Sequence, residues 1–215
     1  LFLSQAYNDC WDDYNRSLKL RSFPRWDYVI LTASNEQQAE GFRKQIADRQ
    51  KFLPAGTKFV AIPDRDGRRV GSGGATLEVL RYLHEQEESF DSLRVLVIHS
   101  GGDSKRVPQY SACGKLFSPV PRILPNGRRS TLFDEFMIAM CGVAARMNAG
   151  MLVCSGDVLL LFNPLQIDFY GKGAAALSIK EPAEIGKNHG VYRRDREGNV
   201  GGFLHKKTVE QLHEM

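Results

Sequence analysis

The sequence predicts an α/β protein, a mostly parallel sheet with helices on both faces. Three observations carry this. Short apolar runs alternate with amphipathic stretches along most of the chain. The runs are apolar almost throughout, as strands covered on both faces are. Several end abruptly in glycine and charge, as in "LRVLVIHSGGDSKRVP" from Leu93 to Pro108, which is where ligands gather in such sheets.

The elements follow in order. Leu3, Tyr7, Trp11, Tyr14 and Leu18 recur near helical spacing and predict a helix over 3–20. "RWDYVILTAS" reads as a buried strand, and Asn35 as the cap of a helix over "EQQAEGFRKQIADRQ". "TKFVAIPD" is a second strand, and "VGSGGATLEVLRYLHEQ" a glycine loop followed by a helix. "LRVLVIHS" is a third strand and "KLFSPVP" a short extended segment. "STLFDEFMIAMCGVAARM" is an apolar helix whose methionines fill core space. "GMLVCSGDVLLLF" holds a strand that meets an aspartate, and "AAALSIK" is a further strand. "HGVYRRDREGNVGGFLHKK" reads as a hairpin around "REGN", and "TVEQLHEM" begins a helix. No repeat or low-complexity linker divides the chain. The organisation expected is an N-terminal helix over 1–25 and one α/β domain over 26–215.

Composition excludes several function classes. With 215 residues, 42% hydrophobic and 25% charged, the chain has the make-up of a soluble globular protein. Net charge is +4, but the basic residues are scattered in pairs such as Arg68-Arg69 and Arg128-Arg129, so no nucleic-acid stripe forms. A mild positive excess suits an enzyme for small anions. No apolar run reaches membrane-spanning length, and the amino end lacks the pattern of a secretory signal. Cys10, Cys113, Cys141 and Cys154 show neither disulfide nor zinc spacing, and read as reduced thiols of a cytoplasmic protein. The chain begins without Met, which reads as a fragment or a processed form.

Three clusters carry chemistry. In "GSGGATLEVL", Gly71, Gly73 and Gly74 let a backbone approach a ligand closely, and the helix that follows offers free N–H groups to an anion. This is not a dinucleotide fingerprint, since Thr76 stands where a third glycine belongs, and no Gly-Lys-Ser/Thr makes it a Walker loop. In "HSGGDSKRVP", Gly101 and Gly102 free the N–H groups at a strand end to form an anion-binding nest. Lys105 and Arg106 add fixed positive charge in the same loop, and Lys115 follows in "SACGKLFSPVP". The combination reads as a polyphosphate cradle. In "VCSGDV", Asp157 at a strand end can hold Mg²⁺ together with substrate phosphates, or cap a turn. Asn188, His189 and Gly190 in "GKNHGVY", and His205, Lys206 and Lys207 in "FLHKK", are weaker candidates for polar ligand groups.

"VLVIHSGGDSKRVPQYSACGKLFSPVP" resembles the signature of the L-fucose-1-phosphate guanylyltransferase family, which includes the guanylyltransferase part of bifunctional fucokinase/GDP-fucose pyrophosphorylases. "WDYVILTAS", "VGSGGATLEVL", "SGDV", "NHGV" and "FLHKKTVEQL" extend the resemblance, in the family's order, from Trp26 onward. It implies a Rossmann-like, GT-A-related nucleotidyltransferase domain that makes GDP-L-fucose and pyrophosphate from GTP and L-fucose 1-phosphate with Mg²⁺. By resemblance, Gly101, Gly102, Arg106 and Lys115 handle the triphosphate, and Gly71, Gly73 and Gly74 approach the nucleotide. Asp157 holds the metal. Asn188, His189 and Gly190 form the sugar-side turn, and Lys206 contacts the sugar phosphate. A sugar kinase domain accompanies this part in some full-length members.

The sequence also departs from the pattern. Lys207 stands where a proline commonly follows the sugar-phosphate lysine. A second metal-binding aspartate and a carboxy-terminal β-helix region are absent, which points to truncation at the carboxyl end. A pyrophosphorylase for another sugar 1-phosphate or nucleoside triphosphate, and a non-catalytic nucleotide-sugar-binding module, are the alternatives.

Overall fold

Six consecutive apolar residues, Tyr28 to Ala33, form a strand buried along its whole length, and the fold is organised around it. The structure is a computed structural model that describes residues 2–100, 108–110, 114–167 and 173–214. Strand β1 (Tyr28–Ala33) pairs in parallel with β2 (Lys58–Pro63) on one side and β3 (Arg94–His99) on the other. Strand β6 (Gly150–Ser155) pairs in parallel with β3, giving the sheet order β2-β1-β3-β6.

Parallel neighbours need crossovers, and helices supply them. Helix α2 (Glu36–Asp48) joins β1 to β2, and α3 (Gly71–Gln86) joins β2 to β3. Between β3 and β6 lie a short antiparallel pair, β4 (Pro119–Ile123) and β5 (Arg129–Thr131), and then α4 (Leu132–Ala144). Alternation along β1 sorts its side chains. Val29, Leu31 and Ala33 enter a core with α2, α4 and α1 (Phe2–Lys19), while Tyr28 and Ile30 pack with Val79 and Leu83 of α3. The sheet is therefore covered on both faces, as the sequence predicts.

Local chemistry fixes the helix ends. The Asn35 side chain accepts from the Gln38 N–H at 2.9 Å and caps α2. Thr131 and Asp134 exchange bonds in a capping box that starts α4. Helix α4 is buried at nearly every position. Phe133 packs at 5.0 Å from Phe117, and Phe117 at 5.5 Å from Phe42; such ring pairs add roughly 0.5–1.5 kcal/mol each beyond their area. Met137, Met140 and Met147 are buried filler. Cys10, Cys141 and Cys154 are free, buried thiols, and Cys113 lies outside the described residues.

The chain divides into two compact units, Leu1–Gly171 and Lys172–Met215. Helix α1 belongs to the core of the first, through Tyr7, Cys10 and Tyr14. The second contains α5 (Ala183–Gly186), the hairpin β7 (Gly190–Arg194) and β8 (Val200–His205), and α6 (Val209–His213). Thr208 starts α6 with a second capping box.

Three expectations need correction. "AAALSIK" forms no strand: residues 174–180 are exposed, and among the described residues no strand pairs with them, without which a strand is not stable. The glycine cluster is not a loop ahead of α3 but its first turn, which begins at Gly71. In "KLFSPVP", Lys115–Phe117 turns as a short 3-10 helix before β4 begins. Among the described residues no helix is long and apolar enough to cross a membrane.

Candidate active site at the carboxyl edge of the sheet

Because all four strands run the same way, their carboxyl ends share one edge. The chain leaves β1 towards β2 and then recrosses to β3, so the strand order reverses beside β1, a position that binds ligands in open α/β sheets. A cleft of about 360 Å³ lies there, lined by Thr32 and Ala33 of β1 and Ser34 just after it, Asp64 after β2, His99 of β3, Ser155 of β6, Arg69 just ahead of α3, and Gly71, Ser72 and Ala75 in its first turns. Its size is in the range of small-ligand pockets.

At the β6 end, Ser155 connects the cleft to two predicted site residues. The Ser155 hydroxyl donates to Asp157 Oδ1 at 2.7 Å, and Lys115 Nζ meets Asp157 Oδ2 at 3.3 Å. The hydroxyl first, then the ammonium, hold the Asp157 carboxyl below its usual range, so it is ionised at neutral pH. Both partners are about half exposed. The glycine before Asp157 is required by packing. A Cβ on Gly156 would stand 3.0 Å from Ser100 Cβ and 3.1 Å from the His99 carbonyl oxygen. The Gly156 N–H donates to that same carbonyl at 2.8 Å. The tight junction between the β3 and β6 ends is what aims Asp157 off the sheet edge.

On the cleft floor, His99 bridges two threonines. Thr76 Oγ1 donates to the Ser72 carbonyl at 2.9 Å, so it accepts from His99 Nε2–H at 3.0 Å. Nδ1 is left to accept from the Thr32 hydroxyl at 3.0 Å. Burial pushes the imidazole below its usual range, against the opposing pull of Asp64. A neutral, tautomer-fixed ring thus ties the β1 end and the β3 end to the first turn of α3. Across the cleft, burial pushes the Asp64 carboxyl upward, partly offset by a hydrogen bond from the Val70 N–H and by the charge of Arg69.

Of the first glycine cluster, Gly71 lines the cleft, with a φ of +70° that suits glycine. Gly73 opens onto free space, and Gly74 packs against Val70. Gly101, Gly102, Lys105 and Arg106 lie outside the described residues. Asn188, His189, Gly190 and Lys206 belong to the second unit and converge at the open end of its hairpin. There Gly190 pairs with His205, and the Lys206 N–H donates to the His189 carbonyl at 3.0 Å. Lys206 itself has φ +49°, a left-handed conformation uncommon for a residue with a side chain.

The motif reading passes over Asp64, His99 and Ser155. Each is the first or last polar residue at a strand's carboxyl end, the one sequence signal that would flag them. Among the described residues no cluster of three or more His, Cys, Asp or Glu side chains forms a metal cage. Asp157 is instead an accessible, ionised single carboxylate. That suits Mg²⁺ brought with phosphates, which supply its remaining ligands.

The chain is 33% identical over 205 residues to the fucose-1-phosphate guanylyltransferase of Mus musculus, covering 87% of this chain and 34% of that protein. It is 32% identical over 206 residues to the Homo sapiens protein of the same name, covering 88% of this chain and 33% of that one. A bifunctional fucokinase/GDP-fucose pyrophosphorylase of Arabidopsis thaliana is 32% identical over 226 residues, covering 88% of this chain and 21% of the larger protein. The chain thus spans only about a third, or less, of the length of these relatives. No solved structure matches it. Residues 87–215 match the family described as the fucose pyrophosphorylase domain, and the chain belongs to that family.

Proposed function

We propose that this chain carries a nucleotidyl-transfer site that makes GDP-L-fucose and pyrophosphate from GTP and L-fucose 1-phosphate, on a Rossmann-like, GT-A-related domain. The observation that carries the reading is the Lys115–Asp157 pair, joined through Ser155 to the cleft where the strand order reverses. The names of the relatives support the substrates.

A phosphate oxygen of the sugar phosphate attacks the α-phosphorus of GTP. The bond to that oxygen forms as the bond to the β-phosphate bridging oxygen breaks, and pyrophosphate leaves with the electron pair. A phosphate dianion needs no general base, so positioning and charge neutralisation do the catalysis. Lys115 exchanges its pairing with Asp157 for the α-phosphate, where negative charge builds. Lys105 and Arg106 neutralise the departing pyrophosphate, and the N–H groups of Gly101 and Gly102 cradle it. Asp157 would hold Mg²⁺, which supplies Lewis-acid charge to the phosphates when bound. Lys206, with the turn Asn188–Gly190, holds the sugar phosphate. The reading also includes a cytoplasmic protein, in keeping with its free buried thiols. A sugar kinase is a natural companion in the full-length protein, as in the relatives whose names join the two activities.

Pyrophosphate release measured across four nucleoside triphosphates and a panel of sugar 1-phosphates tests this. GTP with L-fucose 1-phosphate should give the highest kcat/KM. Preference for another pair would replace the substrates, and no release from any pair would remove the enzyme reading.

A further inference from the structure

We propose that Asp64 reads the base of the nucleotide, accepting two hydrogen bonds from the N1–H and 2-amino edge of guanine. The inference rests on the transfer site proposed above, and deepens it by naming the residue that selects the base.

Position comes first. The strand ends along the cleft follow the order β6, β3, β1, β2, with Ser155 at one extreme and Asp64 at the other. Neighbouring strands lie about 4.8 Å apart, so the β6 and β2 ends are roughly 14 Å from each other. The phosphate-handling pair Lys115–Asp157 adjoins Ser155. A nucleotide with its α-phosphate there sets its ribose over β3 and β1, beside His99, Thr32 and Ser34. Its base then reaches the β2 end. Asp64 stands one strand too far out to meet the ribose hydroxyls.

Chemistry then selects the base. Among the described residues that line the cleft, Asp64 is the one carboxylate. Its backbone is fixed by its N–H donating to the Ala33 carbonyl at 2.7 Å. A carboxylate only accepts. Guanine presents two adjacent donors, the ring N1–H and the exocyclic amine. Adenine and cytosine present a ring-nitrogen lone pair at the corresponding position, and uracil flanks its single N–H with two carbonyl oxygens. The carboxylate therefore attracts guanine and repels the other three. Arg69, on the same cleft wall, carries the donors that guanine O6 accepts. A matched bidentate pair discriminates between bases by roughly 10- to 100-fold.

The test is Asp64→Asn in the full chain. Binding of GTP, XTP, ITP and ATP is measured by calorimetry, and pyrophosphate release with each nucleotide is measured in parallel. Asparagine accepts from N1–H but donates its amide to the partner at C2, which is a carbonyl in xanthine. The variant should lose about 10- to 100-fold in GTP affinity and gain XTP affinity by a similar factor. Wild type should bind ITP, which lacks the 2-amino group, more weakly than GTP. The variant should fold as well as wild type at pH 7, because burial disfavours the carboxylate it removes. Equal losses for GTP and XTP, or an unchanged GTP-to-ATP ratio, would overturn the assignment. The two readings separate cleanly. A switch to XTP binding without pyrophosphate release from any nucleotide would sink the transferase and keep the base reader. Release that favours GTP equally in both proteins would do the reverse.

Discussion

In the unit Leu1–Gly171, the described candidate residues stand at the edge of a sheet buried on both faces, with Ile30, Leu31, Leu96 and Ile98 at 0% exposure beneath them. In the unit Lys172–Met215, they stand on a two-stranded hairpin where no described residue is buried. The first set is positioned by packing: Gly156 is locked against the β3 end, and Asp157 follows it. The second is positioned by backbone hydrogen bonds and a left-handed Lys206. The difference teaches that the first set is pre-formed by a core, while the second is held by local interactions of low stability, the kind from which mobile ligand-binding segments are drawn.

The largest expected contrast lies in the packing of the two units. Phe133→Ala empties a site of 0% exposure between Phe117 and Phe59 and should cost about 3–5 kcal/mol. Phe203→Ala, at a residue 57% exposed, should cost under ~1 kcal/mol, since surface changes are usually small. Urea unfolding reads both; similar losses would erase the distinction between the units.

A smaller effect sharpens the account of Lys206. Lys206→Gly removes the left-handed strain and should stabilise the hairpin by about 1 kcal/mol. The same change should raise the KM for the sugar phosphate more than it lowers kcat. Hydrogen exchange on the β7–β8 amides, paired with steady-state kinetics, checks both halves. A variant with weaker protection and unchanged KM would show that the conformation serves folding only.

The last contrast concerns pH. The folded protein holds His99 neutral, with a pKa below the ordinary 6.5, so the unfolded chain takes up the proton first on acidification. The contribution of His99 is therefore complete above 6.5 and is lost as pH falls towards the depressed folded value. His99→Gln, which keeps a donor and an acceptor between Thr32 and Thr76, should flatten that part of the stability profile. An unchanged acid slope in thermal melts would mean that the ring does not tie the cleft walls together.

Much of this was legible in the sequence because it is local. Asn35, the apolar run at Tyr28–Ala33, the "REGN" hairpin and the helix over Leu132–Ala144 each announce themselves through capping chemistry or periodicity. "AAALSIK" misleads because β-propensity describes a residue's fit to a sheet, and no strand among the described residues pairs with it. The start of α3 misled because four residues of glycine and serine read as a turn, whereas Gly71 alone takes the turn conformation and the rest continue the helix. Asp64 and His99 were hidden for another reason. Their meaning lies in the order β2-β1-β3-β6, which brings residues 35 positions apart to one cleft and which no local pattern encodes.

The central claim is that Lys115 and Asp157 are the working pair at the carboxyl edge of the sheet. The most direct measurement is pyrophosphate release from GTP and L-fucose 1-phosphate by wild type and by Lys115→Ala, at saturating concentrations of both substrates. The account predicts a fall in kcat of about 100-fold or more, as when one preorganised charge is removed from a transition state. Turnover within a few-fold of wild type would contradict it.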